Sequence, residues 1–424
     1  MRSAPLAAAL SAAAHLVAAV IRGRNLDQAL GAAALDGPLR AAARDLAAGA
    51  LRRYGRGDFF LARLMERPPT DPVVRGLLLA ALYRLEVRPE DAHTTVDQCV
   101  QAAAGIAHGK FKGLVNGVLR NFLRRQAELT DAVAADEVAA HQHPRWWLDR
   151  LRTAYPDAWR EIAAADNGHP PMGLRANLRH GSAAERLAEL TAAGIGARQL
   201  DDTALLLDKP VAVEALPGFA AGRLSVQDWG AQQAAPLLDA RAGMRVLDAC
   251  AAPGGKTGHL LERADLDLLA LDADGARAAR VADNLTRLGL TGAVKTADCR
   301  NVDDWWDGRL FDRILADVPC SASGVVRRHP DAKWLRRPGD VAKFARTQAE
   351  ILVGLWRLLA PGGRMLYCTC SVFPEENGLQ VASFVAGHAD ARRLPTGDGE
   401  GDQWQLLPTA EHDGFFYALL EKAA

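Results

Sequence analysis

The segment Asp248-Ala-Cys-Ala-Ala-Pro-Gly-Gly-Lys-Thr257 constrains this chain more than any other. A short apolar run, Met244 to Leu247, leads into an acid, then small residues, then Pro253-Gly254-Gly255, and an amphipathic stretch starts at Lys256. That order reads as strand, tight glycine turn and helix, which lets backbone approach a small ligand closely. Further short apolar runs at 266–272, 293–296, 312–317 and 364–369 alternate with helical segments, notably 274–288 and 341–359. Such alternation predicts a parallel sheet with helices on both faces, which takes its ligand at the carboxyl ends of the strands. Asp248, Asp272, Asp298, Asp317 and Cys370 fall at or just past those ends. Asp340 is placed to cap the last helix, and Pro361-Gly362-Gly363 to stop it.

Three ligands compete for the glycine turn. A phosphate-binding P-loop matches Gly255-Lys256-Thr257 but needs a glycine where Cys250 stands. A dinucleotide fold needs G-x-G-x-x-G, and the spacing here is wrong. An S-adenosylmethionine pocket uses every position: Asp248 and the turn amides at the amino-acid end, Asp272 on the ribose hydroxyls, Asp298 near the adenine amine. Cys250, Ala251, Ala252, Pro253, Gly254, Gly255, Lys256, Asp272, Asp298 and Asp317 are therefore the expected cofactor set.

At 424 residues the chain is too long for one ordinary domain. Residues 1–138 read as all-helical, with Val74, Leu77, Leu78, Ala81, Leu82 and Leu85 at helical spacing, and Val115, Val118, Leu119, Phe122 and Leu123 likewise. Residues 139–235 read as a small α+β domain: two helices broken at Pro156, strands at 172–178, 204–207 and 224–227, and a helix at 183–193. Residues 236–424 carry the strand–turn–helix pattern above. The first twenty residues imitate a secretory signal, but His15 interrupts the apolar run and the pattern continues to Leu30, so an amphipathic first helix is expected. No apolar run is long enough for a bilayer, and a cytoplasmic protein without a membrane partner is expected. Lys+Arg and Asp+Glu both number 51, which argues against a non-specific nucleic-acid coat and leaves room for a local basic groove. Six cysteines in so large a chain with a full core argue against a disulfide framework, the lack of a C-x-x-C pair argues against a zinc ribbon, and no metal is expected.

Asp-x-Cys-Ala-Ala-Pro-Gly-Gly-Lys-Thr, then Asp317-x-Pro-Cys320-Ser-Ala-Ser-Gly324, then Thr369-Cys370-Ser371 with Pro374-Glu-Glu-Asn377, together resemble the RNA 5-methylcytosine methyltransferases of the Nol1/Nop2/Sun type. Lys112-Gly-Leu-Val-Asn-Gly-Val-Leu-Arg120 resembles a NusB-type RNA-binding domain, and Pro170 to Asn177 with Val226-Gln-Asp228 resembles the linking domain. The combination is similar to the branch that methylates one cytosine of 16S ribosomal RNA (the position-967 type). The resemblance implies a multidomain fold: an all-α NusB-like domain, a ferredoxin- or RRM-like α+β linking domain, and an α/β Rossmann-like S-adenosylmethionine-dependent methyltransferase domain. Val318 stands where alanine is usual, and Cys368 adds a thiol on the strand face expected for Cys370.

The chemistry explains two thiols. Cytosine C5 is a poor nucleophile, and a thiolate adding at C6 turns C5 into an enamine carbon. The C5 proton must then leave so that the thiolate can be expelled. By chemistry alone the two sulfurs are interchangeable; the resemblance implies Cys370 as nucleophile and Cys320 as base and release group. Asp317 suits the cytosine edge at N3 and the exocyclic amine, where charge develops. Lys256 is expected to raise the thiolate fraction. Cys99, Cys299 and Cys368 read as inert core thiols, with Cys250 packed behind the turn.

The target base must be single-stranded or flipped out. A loop from Ser321 to Arg337 carries Arg327, Arg328, His329, Lys333, Trp334, Arg336 and Arg337, a composition that suits phosphate contact and base stacking. Lys112 and Arg120, with Lys110, Arg124 and Arg125, form a second basic stripe. The plainer readings are a solvated loop and a wet helix face. A monomer acting on 16S rRNA is expected; the rivals are the same chemistry on another rRNA or tRNA cytosine, a non-catalytic RNA-binding assembly factor, and a nucleoside triphosphatase.

Overall fold

The computed structural model describes residues 4–397 and 401–424, and the chain divides into two compact units, Met1–Gly168 with Val326–Pro338 and His169–Val325 with Gly339–Ala424. The first unit is helical. Its long helices are Leu6–Ile21, Gly37–Arg52, Pro72–Val87 and Lys112–Ala132. The residues at helical spacing supply its core: Val74, Leu77, Leu78, Ala81, Leu82, Leu85, Val115, Leu119 and Phe122 are all fully buried. Leu6–Ile21 buries Leu10, Ala13, Ala14 and Val17 against that core, as an amphipathic first helix should. Gly76 lets this helix approach closely, since a Cβ there would stand 2.5 Å from the Ala14 carbonyl oxygen. Helices Arg145–Ala154 and Trp159–Asp166, expected with the linking domain, lie within this compact unit. No helix among the described residues is long and apolar enough to cross a membrane.

The second unit opens with a four-stranded antiparallel sheet: β1 (Gly173–Ala176), β2 (Ala197–Gln199), β3 (Ala204–Leu207) and β4 (Leu224–Val226), in the order β2-β3-β1-β4. The helix Ala183–Ala192 packs on it, started by a capping box between Ser182 and Glu185. The larger sheet follows: β5 (Arg245–Asp248), β6 (Asp267–Asp272), β7 (Ala293–Thr296), β8 (Phe311–Asp317), β9 (Leu359–Thr369), β10 (Ala391–Leu394), β11 (Trp404–Leu406) and β12 (Phe415–Lys422). Its order is β10-β12-β9-β8-β5-β6-β7, with β11 also on β12. Successive side chains point to opposite faces, so Leu247, Ile314 and Tyr367 enter one buried core and Val246, Leu315 and Leu366 another.

Three expectations need correction. The sheet is mixed, not parallel: β12 runs antiparallel to β9, β10 and β11, and its apolar run from Phe415 to Leu420 extends the buried sheet. Pro361-Gly362-Gly363 does not stop a helix; it lies inside β9, where Gly362 takes φ +73° and the register with β8 shifts between Phe311 and Arg313, as in a bulge. The preceding helix spans Pro338–Trp356, so Asp340 sits in its first turn instead of capping it. What survives is the placement of the acids: β5, β8 and β9 are neighbours, and their carboxyl ends bring Asp248, Asp317 and Cys370 to one edge.

Candidate active site

The glycine turn is built on Asp248, the last residue of β5. Asp248 is buried, and its Oδ2 accepts the Thr257 hydroxyl at 2.7 Å. Its Oδ1 is buried without a hydrogen-bond partner. Burial, with smaller help from Asp317 and Asp272, pushes this carboxyl up to about 7. A buried acceptor left open at a glycine turn calls for a donor from outside the chain. Gly254 has φ +94°, and a Cβ there would stand 3.1 Å from Val281 Cα, so only glycine fits. The turn amides are not the donors expected: Ala251 N–H donates to the Leu271 carbonyl, Ala252 N–H to Asp272 Oδ2, and Gly254 N–H to the Ala251 carbonyl. The helix that starts at Gly255 remains the source of unpaired amides here.

Asp272, at the end of β6, also accepts the Asp274 N–H at 3.1 Å and faces Arg277 at 3.4 Å. Each of its oxygens keeps a further lone pair for a ribose hydroxyl. Asp298 is held by Arg300, with contacts of 2.7 to 3.2 Å to both oxygens, which lowers its pKa. The expected adenine contact therefore competes with an arginine from its own loop. The Cys250 side chain turns to the Cys299 thiol, which pushes its own pKa up, and it packs on the core behind the turn. Only its backbone is left for the expected cofactor contact.

The thiols meet. Cys320 follows β8, Cys370 follows β9, and their sulfurs are 3.3 Å apart. The Cys320 thiol is pushed up by its contact with the Cys370 sulfur and by burial, so it holds its proton and can donate it across the contact. Cys320 keeps 9% exposure and Cys370 more, so the pair is not sealed in the core. Cys368 and Cys370 pack on the same core, as expected for one strand face, but their thiols have different partners: Cys370 meets Cys320, and the Cys368 thiol turns to Asp317 Oδ1 at 3.4 Å. The Lys256 ammonium lies 2.5 Å from Asp317 Oδ2 and near enough to the Cys368 thiol to favour its ionised form. Burial opposes the Lys256 charge, but Asp317, Cys368 and Tyr417 together outweigh burial and its pKa rises. Asp317 thus enters any reaction as an oriented carboxylate, still about a third exposed at 29%.

Sequence reasoning missed two supports. Arg175, inside the apolar strand β1, is fully buried and forms a two-pronged pair with Glu262 at 2.8 and 2.7 Å. It also donates to the Gly255 carbonyl at 2.8 Å, tying β1 to the cofactor helix. An arginine between Leu174 and Ala176 in a strand is the signal that marked it. The second support is Glu376, buried behind the thiols.

The basic residues divide. Lys112 and Arg120 are exposed on the helix Lys112–Ala132. Arg327 and Lys333 are buried, which corrects their expected RNA-facing role. Lys333 donates to the Arg52 carbonyl at 3.2 Å and to Asn167 Oδ1 at 2.7 Å, and burial lowers its pKa to about 7. The Trp334 indole N–H is spent on the Leu51 carbonyl at 2.8 Å, and its ring lies against Tyr54. These partners replace the water that a cationic loop would otherwise keep. Arg328 is half-buried.

Comparison with known proteins matches three stretches of the chain. Residues 235–421 match the family described as 16S rRNA methyltransferase RsmB/F, residues 143–214 its ferredoxin-like domain, and residues 7–124 the NusB family. The ribosomal RNA small subunit methyltransferase B of Klebsiella pneumoniae is 45% identical over 389 residues, 90% of each chain. Its namesake in Sodalis glossinidius is 45% identical over 424 residues, 96% of this chain and 97% of that one. Among solved structures, that of PH0851 shares the fold at a TM-score of 0.82 and 23% identity, covering 99% of this chain and 100% of that one.

Proposed function

This chain belongs to the RsmB/F family of 16S rRNA methyltransferases, and we propose that it transfers a methyl group from S-adenosylmethionine to C5 of one 16S rRNA cytosine through a covalent adduct at C6. The observation that carries the reading is the 3.3 Å contact of Cys320 and Cys370 beside the glycine turn. S-adenosylmethionine, when bound, supplies an electrophilic methyl group. The open Asp248 Oδ1 suits its ammonium group, Asp272 its ribose, and the Ala252-Pro253-Gly254 turn lets it approach the backbone. Asp298 is the proposed partner of the adenine amine, in exchange for part of its Arg300 contact.

In this mechanism the Cys370 thiolate forms the S–C6 bond, and the C5=C6 electron pair would form the bond to the methyl carbon as the methyl–sulfonium bond breaks, leaving S-adenosylhomocysteine. Asp317, oriented by Lys256, holds the N3 and amine edge as charge develops there. Cys320, after giving up its own proton to solvent, then takes the C5 proton. Those electrons restore C5=C6 and expel Cys370. The surroundings that raise the Cys320 pKa also make its thiolate the stronger base once its own proton has left. Lys112, Arg120 and Arg328 are the candidates for phosphate contact.

The test is to incubate the protein with labelled S-adenosylmethionine and unmodified 16S rRNA, then map the methyl group by nuclease digestion and mass spectrometry. One 5-methylcytosine is expected. Methyl on an exocyclic amine, or transfer to tRNA in preference, contradicts the reading.

A further inference from the structure

Nothing in the two-thiol chemistry itself explains why two sulfurs from loops fifty residues apart in sequence stand at 3.3 Å. One buried carboxylate touches both loops. Glu376 Oε2 accepts the Ser321 hydroxyl at 2.5 Å and the Ser371 hydroxyl at 2.6 Å, and these serines directly follow Cys320 and Cys370. Glu376 Oε1 accepts the Ser321 N–H at 2.7 Å and a long contact from Gln348 Nε2 at 3.4 Å. The same Gln348 amide holds the Pro319 carbonyl at 3.0 Å, one residue before Cys320. Glu376 is itself fixed, since the Tyr367 hydroxyl on β9 donates to its backbone carbonyl at 2.6 Å.

We propose that Glu376 is a positioning residue that sets the spacing and facing of Cys320 and Cys370. The role needs an acid. Four donors converge on its two oxygens, and a carboxylate offers acceptors on both while an amide offers them on one. The NH2 group of glutamine would face the Ser321 N–H and the Gln348 amide in one orientation, and in the other would force both serine hydroxyls to turn round and accept. The Ser323 hydroxyl, 2.9 Å from Ser371 Oγ and accepting the Val372 N–H, and the Gly324 N–H bond to the Cys370 carbonyl add links between the loops. Neither reaches Ser321 and Ser371 through a single charged atom. The proposal rests on the two-thiol reading above, and its test separates the two.

The full-length chain, Glu376→Gln and Ser371→Ala are each equilibrated with mixtures of reduced and oxidised glutathione. Two protein thiols give up two electrons and two protons and form one S–S bond, while one oxidised glutathione becomes two reduced molecules. Peptide mapping after alkylation gives the Cys320–Cys370 linked fraction, hence the effective concentration of one thiol at the other. For Glu376→Gln this falls about tenfold, and kcat for methyl transfer falls about tenfold or more with the KM for S-adenosylmethionine within about twofold. Ser371→Ala, which removes one hydroxyl from the network and spares the acid, moves both in the same direction by less. An unchanged thiol equilibrium in both variants, with only the unfolding temperature lowered, overturns the proposal. A lowered thiol equilibrium with unchanged kcat keeps the spacing role and overturns the two-thiol reading instead.

Discussion

Residues 317–324 and 326–338 are neighbours in the chain, both rich in reactive or charged side chains, and they use them oppositely. The first stretch leaves β8 with Asp317 a third exposed and Cys320 against a second thiol, each polar group oriented by a named partner and still reachable. The second draws two of its cations inward: Lys333 is fully buried on a carbonyl and an amide, and Arg327 is buried as well. In the proposed mechanism charge in the first stretch serves chemistry, while in the second buried charge serves the packing of the helical unit. Exposure, set by partners distant in sequence, decides which use a charged residue has.

That contrast can be broken at three points. Cys370→Ala is the harshest: methyl transfer to 16S rRNA should fall at least about 10³-fold in a single-turnover assay, while unfolding temperature stays near the wild type. Activity within an order of magnitude of wild type would remove the thiol from the chemistry.

A smaller effect belongs to Asp248, whose carboxyl, raised to about 7, must be ionised to meet an ammonium group. Affinity for S-adenosylhomocysteine should therefore weaken as pH falls through about 7 and level off above it. Asp248→Asn should bind roughly tenfold to a hundredfold more weakly at pH 8 and lose that pH dependence. Titration calorimetry between pH 6 and 8, on the order of one pKa unit either side of 7, checks both. An affinity independent of pH in the unaltered chain contradicts the assignment.

The mildest test compares the cations. Lys112→Ala and Arg120→Ala should each weaken RNA binding a few-fold and lower the salt slope by about one. Lys333→Met should leave both unchanged and act on stability. The folded pKa of Lys333, about 7, is depressed below the ordinary 10.5, so the neutral form is favoured in the fold. The wild type then loses stability as pH falls from about 10 toward 7, and the methionine variant lacks that component. Denaturant unfolding at pH 7 and 9.5, roughly the ends of that window, reads the difference.

These points also mark what was legible before the fold was known. Asp248, Asp272 and Asp317 could be placed because a strand followed by a turn fixes its last residue, and β5, β6 and β8 end where their apolar runs end. The convergence of Cys320 and Cys370 came from long motifs, and β8 and β9 pairing side by side accounts for it. The antiparallel return of β12 was not legible, because Phe415 to Leu420 is an apolar run whose direction depends on the chain that brings it back. The bulge at Gly362 imitated a helix stop, since the same left-handed glycine serves both. Arg175–Glu262 and the bonds from Glu376 to Ser321 were missed because those partners lie far away in sequence. Lys333 was misplaced for the same reason: composition gives its charge, and only Arg52 and Asn167 reveal its burial.

The two-thiol assignment is tested most directly by denaturing electrophoresis of Cys320→Ala after incubation with S-adenosylmethionine and unmodified 16S rRNA. The expected result is a protein–RNA band that survives denaturant and disappears when Cys370→Ala is added. Normal turnover by Cys320→Ala, or an adduct that persists without Cys370, would contradict the division of labour between the two sulfurs.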